Sequence, residues 1–125
     1  MKYSINKDLN IHAIVVEATG MINTVVAKEM VMSAGIALNE SGLKRCFFDL
    51  SNTEVDPEQS MIGMIIFSQV FERAGINKSV RMAALYTSGE DPRLYLEEGT
   101  QLLGLQLKHF KDRDEALSWL CRSQN

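Results

Sequence analysis

Four carboxylates lie close together near the middle of the sequence: Asp49, Glu54, Asp56 and Glu58. A pair of carboxyl groups can perform acid–base catalysis when one of them is withdrawn from water, because burial raises its pKa. Asp56 and Glu58, however, flank Pro57 in the pattern of a helix start, where acidic side chains stabilise the positive end of the helix dipole. An acid–base enzyme would therefore depend on Asp49 and Glu54.

The histidines and cysteines are the other residues able to bind a metal or attack a substrate. His12 and His109 fall in predicted strands, and neither has a partner at the spacing of a metal site, so we expect each to make a local hydrogen bond. Cys46 lies in an apolar run and is expected to be a buried hydrophobic residue. Cys121 is far from it, and no C-x-x-C pair occurs. The sequence therefore predicts no catalytic residue, no metal site and no cofactor.

The overall composition is typical of a folded globular domain. Of the 125 residues, 46% are hydrophobic and 23% are charged, which suits one domain spanning residues 1–125. The net charge is −3 and no run of Lys and Arg exceeds two residues, which argues against a nucleic-acid partner. Residues 1–8 lack the apolar core of a signal peptide, and the longest apolar run, Met61–Phe67, is far shorter than an integral membrane segment. We therefore expect a cytoplasmic protein.

Five short apolar segments have the length and composition of strands. The first two are separated by polar residues and favour an antiparallel hairpin. The others alternate with helical patterns, which favours right-handed crossovers and parallel pairing. The predicted strands are Tyr3–Ile5, Ile11–Ala18, Cys46–Leu50, Val80–Tyr86 and Leu105–Phe110.

Start and stop signals define four helices between and after these strands. Asn23 or Thr24 can cap the first helix and Gly42 can end it. Asp56 before Pro57 is the clearest helix start in the chain, and Gln59 completes a capping box. Glu90 and Asp91 before Pro92 repeat this combination of an acidic cap and a proline at the start of the third helix. The predicted helices are Thr24–Asn39, Pro57–Ala74, one from Pro92 to about Gly104, and one from Asp112 through Leu120. The order β-β-α-β-α-β-α-β-α predicts an α/β fold with a single mixed, mostly parallel five-stranded sheet flanked by four helices.

Three local patterns match the outline of a known family. They are Phe48–Ser51, a strand end that leads into a helix; Arg81–Tyr86, a strand opened by arginine; and the tail Gly104–Leu120, with its phenylalanine, acidic cap, Glu-Ala-Leu and Trp-Leu. With the element order, these patterns resemble the SpoIIAA-like, or STAS, family of stand-alone bacterial domains in the STAS/SEC14 superfamily. The resemblance implies a five-stranded sheet flanked by helices and no enzymatic activity. It implies a protein-interaction switch, or lipid binding as on the SEC14 side.

The chain departs from this family at the regulatory serine. Anti-sigma factor antagonists present an Asp-Ser-Ser-Gly-like segment at the start of the corresponding helix, and a serine there is phosphorylated. Here the segment is Asp56–Gly63, and Ser60 is predicted within the first turns, among acidic side chains that would repel a phosphate. We therefore expect Ser60 to be an ordinary helix residue. The resemblance places the family's regulatory site at this loop and helix start, on Asp49, Ser51, Asp56 and Ser60.

The helix predicted after Asp56 carries more apolar residues than one buried face needs. At about 100° per residue, its core face consists of Gly63, Ile66, Phe67, Val70, Phe71 and Ala74. The opposite face carries Met61, Ile62 and Ile65. The first helix has a weaker surplus at Val25, Met32 and Ile36. Neighbouring helices, a second copy of the chain or an apolar ligand could cover these residues.

The sequence thus predicts a non-enzymatic binding or regulatory domain. It would act through contacts with another protein or through self-association as a homodimer, with Met61, Ile62 and Ile65 as the interaction surface. The alternative is a small lipid or apolar-ligand carrier in which the same helix acts as a flap over the sheet. An acid–base enzyme around Asp49 and Glu54 is a third hypothesis.

Overall fold

The computed structural model describes residues 1–56, 59–87 and 92–122. Its sheet has five strands in sequence order: β1 (Lys2–Asp8), β2 (Ala13–Met21), β3 (Arg45–Glu54), β4 (Arg81–Leu85) and β5 (Gln106–Phe110). β1 pairs antiparallel with β2, and all other neighbours are parallel. The predicted mixed, mostly parallel sheet with an opening hairpin is therefore confirmed.

The turn of the hairpin differs from the prediction at His12. This residue has φ of 51° and belongs to the turn, so β2 begins at Ala13 rather than at Ile11. The left-handed backbone region interrupts the extended conformation that a strand residue needs. The prediction that His12 is a strand residue was therefore wrong, whereas His109 does lie in β5.

The central strand β3 is longer than predicted. The pairs Glu17–Asp49 and Thr19–Asn52 leave one extra residue on β3 between them, which is a β-bulge. Beyond the bulge, β3 stays paired with the end of β2 as far as Glu54. Polar residues that read as a loop in the sequence are thus held by backbone pairing at the sheet's carboxyl edge.

The first and last helices follow their sequence signals. α1 (Thr24–Ser41) is capped by Asn23, whose side chain accepts the backbone N–H groups of Val25 and Val26, and it ends at Gly42 with φ of 73°. α5 (Arg113–Cys121) is capped by Asp112. These local caps were predicted because each needs only the residue type and its neighbours.

The segment predicted as one helix over Pro57–Ala74 is divided. α2 covers Met61–Phe67 and α3 covers Gln69–Arg73, with Ser68 between them. The predicted start at Asp56 was wrong, because α2 begins only at Met61; Pro57 and Glu58 lie outside the described residues. α2 and α3 together take the place of the second predicted helix.

A short 3-10 turn, Pro92–Leu94, leads into α4 (Tyr95–Leu102) before β5. The predicted cap at Glu90 and Asp91 lies outside the described residues. No helix in the described ranges is long and apolar enough to cross a membrane.

The helices are divided unequally between the two sheet faces. Because the strands follow one another in sheet order, crossovers of one hand place α1 to α4 on the same face. This face holds the larger core, which includes Met30, Phe48, Phe71 and Leu107. α5 covers the other face, where Ala116 and Leu120 pack with residues such as Phe47.

Candidate functional site

The start of α2 is the place to which the sequence pointed, and its cap is Ser60. Ser60 has an extended backbone conformation, and its side chain is exposed. Its Oγ accepts a hydrogen bond from the backbone N–H of Gly63, with 2.9 Å between the oxygen and the nitrogen. The prediction that Ser60 lies within the first turns was therefore wrong. Serine is favoured at this position because its side-chain oxygen accepts a hydrogen bond from a backbone N–H that has no partner inside the helix.

The outer surface of α2 is apolar and uncovered by the described residues. Met61 is 47% exposed, Ile62 65% and Ile66 59%. Ile62 and Ile66 are one turn apart and lie side by side on the helix. We call these three residues the α2 face. Neighbouring helices of the same chain therefore do not bury Met61 and Ile62, which was one of the explanations left open by the sequence.

Ile65 and Ile66 exchange the positions that the helical wheel gave them. Ile65 is half-buried, whereas Ile66, predicted in the core, is exposed, and Met64 and Ser68 are buried instead. The wheel centred the core face on the side that includes Ile66, but α4 packs against α2 at Ser68, so the side with Met64 and Ser68 is buried and Ile66 is not. Val70, Phe71 and Ala74 of the second half are buried as predicted.

The contact between α2 and α4 explains why Ser68 is buried. The Ser68 hydroxyl donates to the Ile65 carbonyl, which satisfies it away from water. A Cβ on Gly99 of α4 would lie 2.7 Å from the Ser68 Cβ, so only glycine fits here. α4 therefore fixes the inward side of α2 and leaves the α2 face outward.

The apolar residues of α1 outside its core face are exposed as well, with the exception of Met32. Val25 is 77% exposed and Ile36 is 56% exposed, while Met32 is half-buried. The buried side of α1 includes Ala34 and Leu38, as the periodicity predicted.

Asp49 belongs to a structural cluster on the α5 side of the sheet. Its Oδ1 accepts the Ser51 hydroxyl at 2.6 Å, and its Oδ2 pairs with the Arg113 guanidinium. Burial raises the pKa of Asp49, but the hydrogen bonds from Ser51 and Arg113 outweigh burial and hold the pKa below its usual value. Asp49 is thus ionised at neutral pH and serves as a tether between β3 and α5.

The other predicted reactive groups are not brought together with Asp49. Glu54 and Asp56 are exposed beyond it at the end of β3. Cys46 is fully buried, and burial raises the pKa of its thiol. His109 is stacked on Tyr86, with its Nε2 2.9 Å from the Tyr86 carbonyl oxygen, the local hydrogen bond that the sequence predicted. In the described ranges no three His, Cys, Asp or Glu side chains are grouped as a metal site.

A cavity of about 60 Å³ lies behind α2, between the sheet and helices α1 to α4. Its wall is almost wholly apolar and includes Leu50, Met64, Phe67 and Leu107. The residues that line it also include Thr24, Arg93, Glu97 and His109, although almost none of the cavity surface is polar. The cavity is near the carboxyl ends of the strands, where open α/β sheets commonly bind ligands.

Arg93 is a residue that the sequence did not reveal. It is 4% exposed, donates from Nη1 to the Thr53 hydroxyl at 2.6 Å, and stacks 4.3 Å from the centre of the Tyr86 ring. An arginine one residue after a helix-opening proline is ordinarily exposed, so its type and position gave no signal of burial.

Several solved structures are similar to this chain in fold, whereas no family model and no curated protein matches its sequence. An anti-sigma factor antagonist from Mycobacterium paratuberculosis aligns at 18% identity with a TM-score of 0.62, covering 97% of this chain and 96% of that one. An uncharacterized protein with a SpoIIAA-like fold from Shewanella loihica aligns at 15% identity with a TM-score of 0.54, covering 96% and 93%. Both likenesses extend over nearly the whole length of the chains. The chain therefore has the SpoIIAA-like fold, as its sequence patterns predicted.

Proposed function

We propose that this chain is a regulatory domain that acts by binding a protein through the α2 face. The observation that supports the proposal is the exposure of Met61, Ile62 and Ile66 side by side on a helix that α4 holds in place. Contiguous apolar surface of this kind is typical of interaction sites. Methionine and isoleucine at the centre of such a surface lose water on contact and favour a partner with an apolar groove or helix.

The residues around the α2 face complete the proposed site. Ser60 caps the helix next to Met61, and exposed Asp56 precedes it, so the apolar surface has a polar rim at its N-terminal end. Interfaces commonly combine an apolar centre with such a rim. Asp49 and Ser51 support the site indirectly: Ser51 holds Asp49, and the Asp49–Arg113 pair tethers β3 to α5, so we do not expect either residue to contact the partner.

The fold comparison supports regulation rather than catalysis. The Mycobacterium protein is an anti-sigma factor antagonist, a protein named for opposing another protein, and its fold covers this chain almost completely. Non-enzymatic binding is accordingly our proposal for this chain as well. We also propose that it works in the cytoplasm, since both Cys46 and Cys121 are free thiols, which suits a reducing compartment.

The test compares two variants of matched exposure. Ile62→Glu/Ile66→Glu places charges on the α2 face, and Ile36→Glu does so on α1, where Ile36 is exposed to nearly the same degree as Ile66. Proteins retained by the immobilised wild-type chain are quantified by mass spectrometry beside those retained by each variant. We expect one or more proteins to be retained by wild type and Ile36→Glu but lost with the α2 variant. Identical retention by all three chains would refute the proposal.

Sedimentation velocity with the same preparations tests whether the partner is a second copy. A homodimer through the α2 face predicts that the wild-type chain and Ile36→Glu sediment as dimers and that the α2 variant sediments as a monomer. If the wild-type chain sediments as a monomer at all concentrations, the homodimer is excluded and the proposed partner is a different protein.

The cavity behind α2 favours a second candidate, the apolar-ligand carrier. Its apolar wall is formed in part by Met64 and Phe67 of the same helix. α2 would then cover the ligand, as the sequence alternative proposed. Native mass spectrometry of protein purified gently from cells tests this candidate, which predicts a bound small molecule and is contradicted by a clean unbound mass.

A further inference from the structure

The amino edge of the parallel strands carries a group of positive charges at the opposite end of β3 from α2. His12 precedes β2, Lys44 and Arg45 lie where β3 begins, and Arg122 follows α5. We propose that this edge binds the phosphate of a phosphate monoester, with Lys44 and Arg122 as its principal ligands. The proposal does not depend on the α2 face or on the cavity behind it.

The topology explains why these residues meet. Parallel strands begin at the same edge of a sheet, so the segments before β2, β3 and β4 lie side by side. The end of α5 reaches the same edge, because the Cys121 carbonyl accepts a hydrogen bond from Arg45. An open pocket of about 530 Å³ lies there, a volume within the roughly 300–1,000 Å³ of small-molecule sites. The residues that line it include His12, Lys44, Arg45, Ser79 and Arg122.

Two arginines at this edge have a structural role. Arg45 donates hydrogen bonds to the carbonyl oxygens of Ile11 and Cys121. Arg81, which pairs with Arg45 in the sheet, donates to two further carbonyl oxygens at the end of α5, both at 2.8 Å. The bonds to α5 satisfy carbonyls that have no partner inside the helix. This role accounts for Arg45 and Arg81 but does not involve the side chain of Lys44 or of Arg122.

The side chains of Lys44 and Arg122 are exposed and make no hydrogen bond or ion pair with the residues that the structure describes. None of the described residues that line the pocket is acidic. The positive charges at this edge also repel one another: burial, followed by the charges of Arg122 and Arg45, lowers the pKa of Arg81. The Arg81 Nε is buried without a hydrogen-bond partner. An anion bound in the pocket would offset this repulsion.

A phosphate monoester matches this arrangement better than a carboxylate does. At neutral pH it carries about −1.5 to −2 charges and has three terminal oxygens that accept hydrogen bonds. The forked N–H donors of Arg122 can bind two of these oxygens, and the ammonium group of Lys44 can bind the third. A carboxylate has one charge and two oxygens, so it leaves one of the two cations without a partner. The open side of the pocket leaves room for the organic group of the ester.

Phenyl phosphate and benzoate are the first probes, since they share an aromatic ring and differ in the head group. NMR titration at constant ionic strength should give a Kd of about 1 mM or lower for phenyl phosphate, at least about tenfold below that of benzoate. The amide signals that shift should include those of Leu43, Lys44 and Arg122. Equal affinities for the two probes, or no saturation by about 10 mM phenyl phosphate, would overturn the proposal.

Two double variants separate the pocket from the general charge of the protein. Lys44→Gln/Arg122→Gln should weaken phenyl phosphate binding at least about tenfold, because it removes both principal ligands. Lys28→Gln/Arg73→Gln is the matched control, since it removes two exposed positive charges from α1 and α3, outside the pocket, and should change the Kd less than about twofold. Equal weakening in both variants, or unchanged binding in the first, would refute the proposal. All four positions are exposed, so both variants should keep the Tm of the wild-type chain.

A phosphopeptide distinguishes the source of the phosphate. The blocked tripeptide Gly-phosphoserine-Gly carries the same head group as phenyl phosphate. Tighter binding of the peptide assigns the pocket to a phosphorylated protein, and tighter binding of phenyl phosphate assigns it to a small molecule; either affinity should fall in Lys44→Gln/Arg122→Gln. Ile62→Glu/Ile66→Glu should bind both probes as the wild-type chain does, so failure of this proposal and failure of the proposed function are observed separately.

Discussion

Gly99→Ala tests the contact that fixes α2 against α4. In an open helix the added methyl group would stabilise the fold by about 1 kcal/mol, because alanine loses less backbone freedom than glycine. Here the new Cβ would lie 2.7 Å from the Ser68 Cβ and 3.2 Å from the Ile65 carbonyl oxygen. Rotation of the Ser68 hydroxyl cannot relieve a clash with the Ser68 Cβ itself.

The expected sign therefore reverses. Overpacking of a close contact costs about 1–3 kcal/mol and separation of α2 from α4 exposes further apolar surface, so we expect a net loss of about 1–2 kcal/mol. The loss should be measurable as a lower midpoint of urea unfolding and a fall in Tm of roughly 3–8 °C.

Gly63→Ala is the matched control in α2. Among the described residues, its Cβ would meet only the side-chain oxygens of Ser60, at 3.0 Å, and Gln59, at 3.7 Å, near the helix start. We expect a change within about 0.5 kcal/mol or a small gain in stability. A stabilised Gly99→Ala protein would contradict the Ser68–Gly99 contact. Partial recovery in Gly99→Ala/Ser68→Gly, measured as a coupling energy in a double-mutant cycle, would support it.

Three further substitutions test other parts of the structure, each by urea unfolding unless stated. Ser60→Ala should cost about 1 kcal/mol through loss of the α2 cap, and Ser60→Asp should recover most of it. The pKa of Asp49 is lower in the folded protein than in the unfolded chain, so Asp49 stabilises the fold above its unfolded pKa and this contribution is lost as the pH falls through its folded pKa. Arg113→Gln removes the partner of Asp49 and should raise the Asp49 pKa, measured by NMR titration. An unchanged Asp49 pKa would refute the Asp49–Arg113 pair. Arg81→Met should lower the free energy of unfolding by about 2–3 kcal/mol, because the buried Arg81 side chain donates hydrogen bonds to two backbone carbonyls at the end of α5. Arg73 is exposed, so Arg73→Met should change the stability little. Equal effects of the two substitutions would contradict the role of Arg81 in holding the end of α5.

Local signals carried most of the fold. Asn23, Gly42 and Asp112 act as caps or terminators because each requires only a side chain or backbone suited to its own position. The alternation of apolar strands and helical patterns was enough to predict a parallel sheet with one antiparallel edge strand. Sheet order then decides which face the crossover helices share, which explains the agreement in overall architecture.

The candidate site was only partly predictable, because tertiary contacts decide it. Ser68 is polar and gives no sequence signal of burial, yet Gly99 from α4 packs against it, so this side of the helix is buried and Ile66 is exposed. Ser60 rather than Asp56 became the cap for the same region. Arg93 could not be recognised at all, since its burial depends on Thr53 and Tyr86 from two different strand ends.

The most direct test of the account is the affinity of the α2 face for its protein partner. A partner retained in the capture experiment, or a second copy of the chain, is titrated against wild type, Ile62→Glu/Ile66→Glu and Ile36→Glu by isothermal titration calorimetry. Buried carboxylates without partners are costly, so the Kd should rise at least about hundredfold for the α2 variant and less than about threefold for Ile36→Glu. A Kd that is unchanged in the α2 variant, with the fold intact by circular dichroism, would contradict the assignment of this surface.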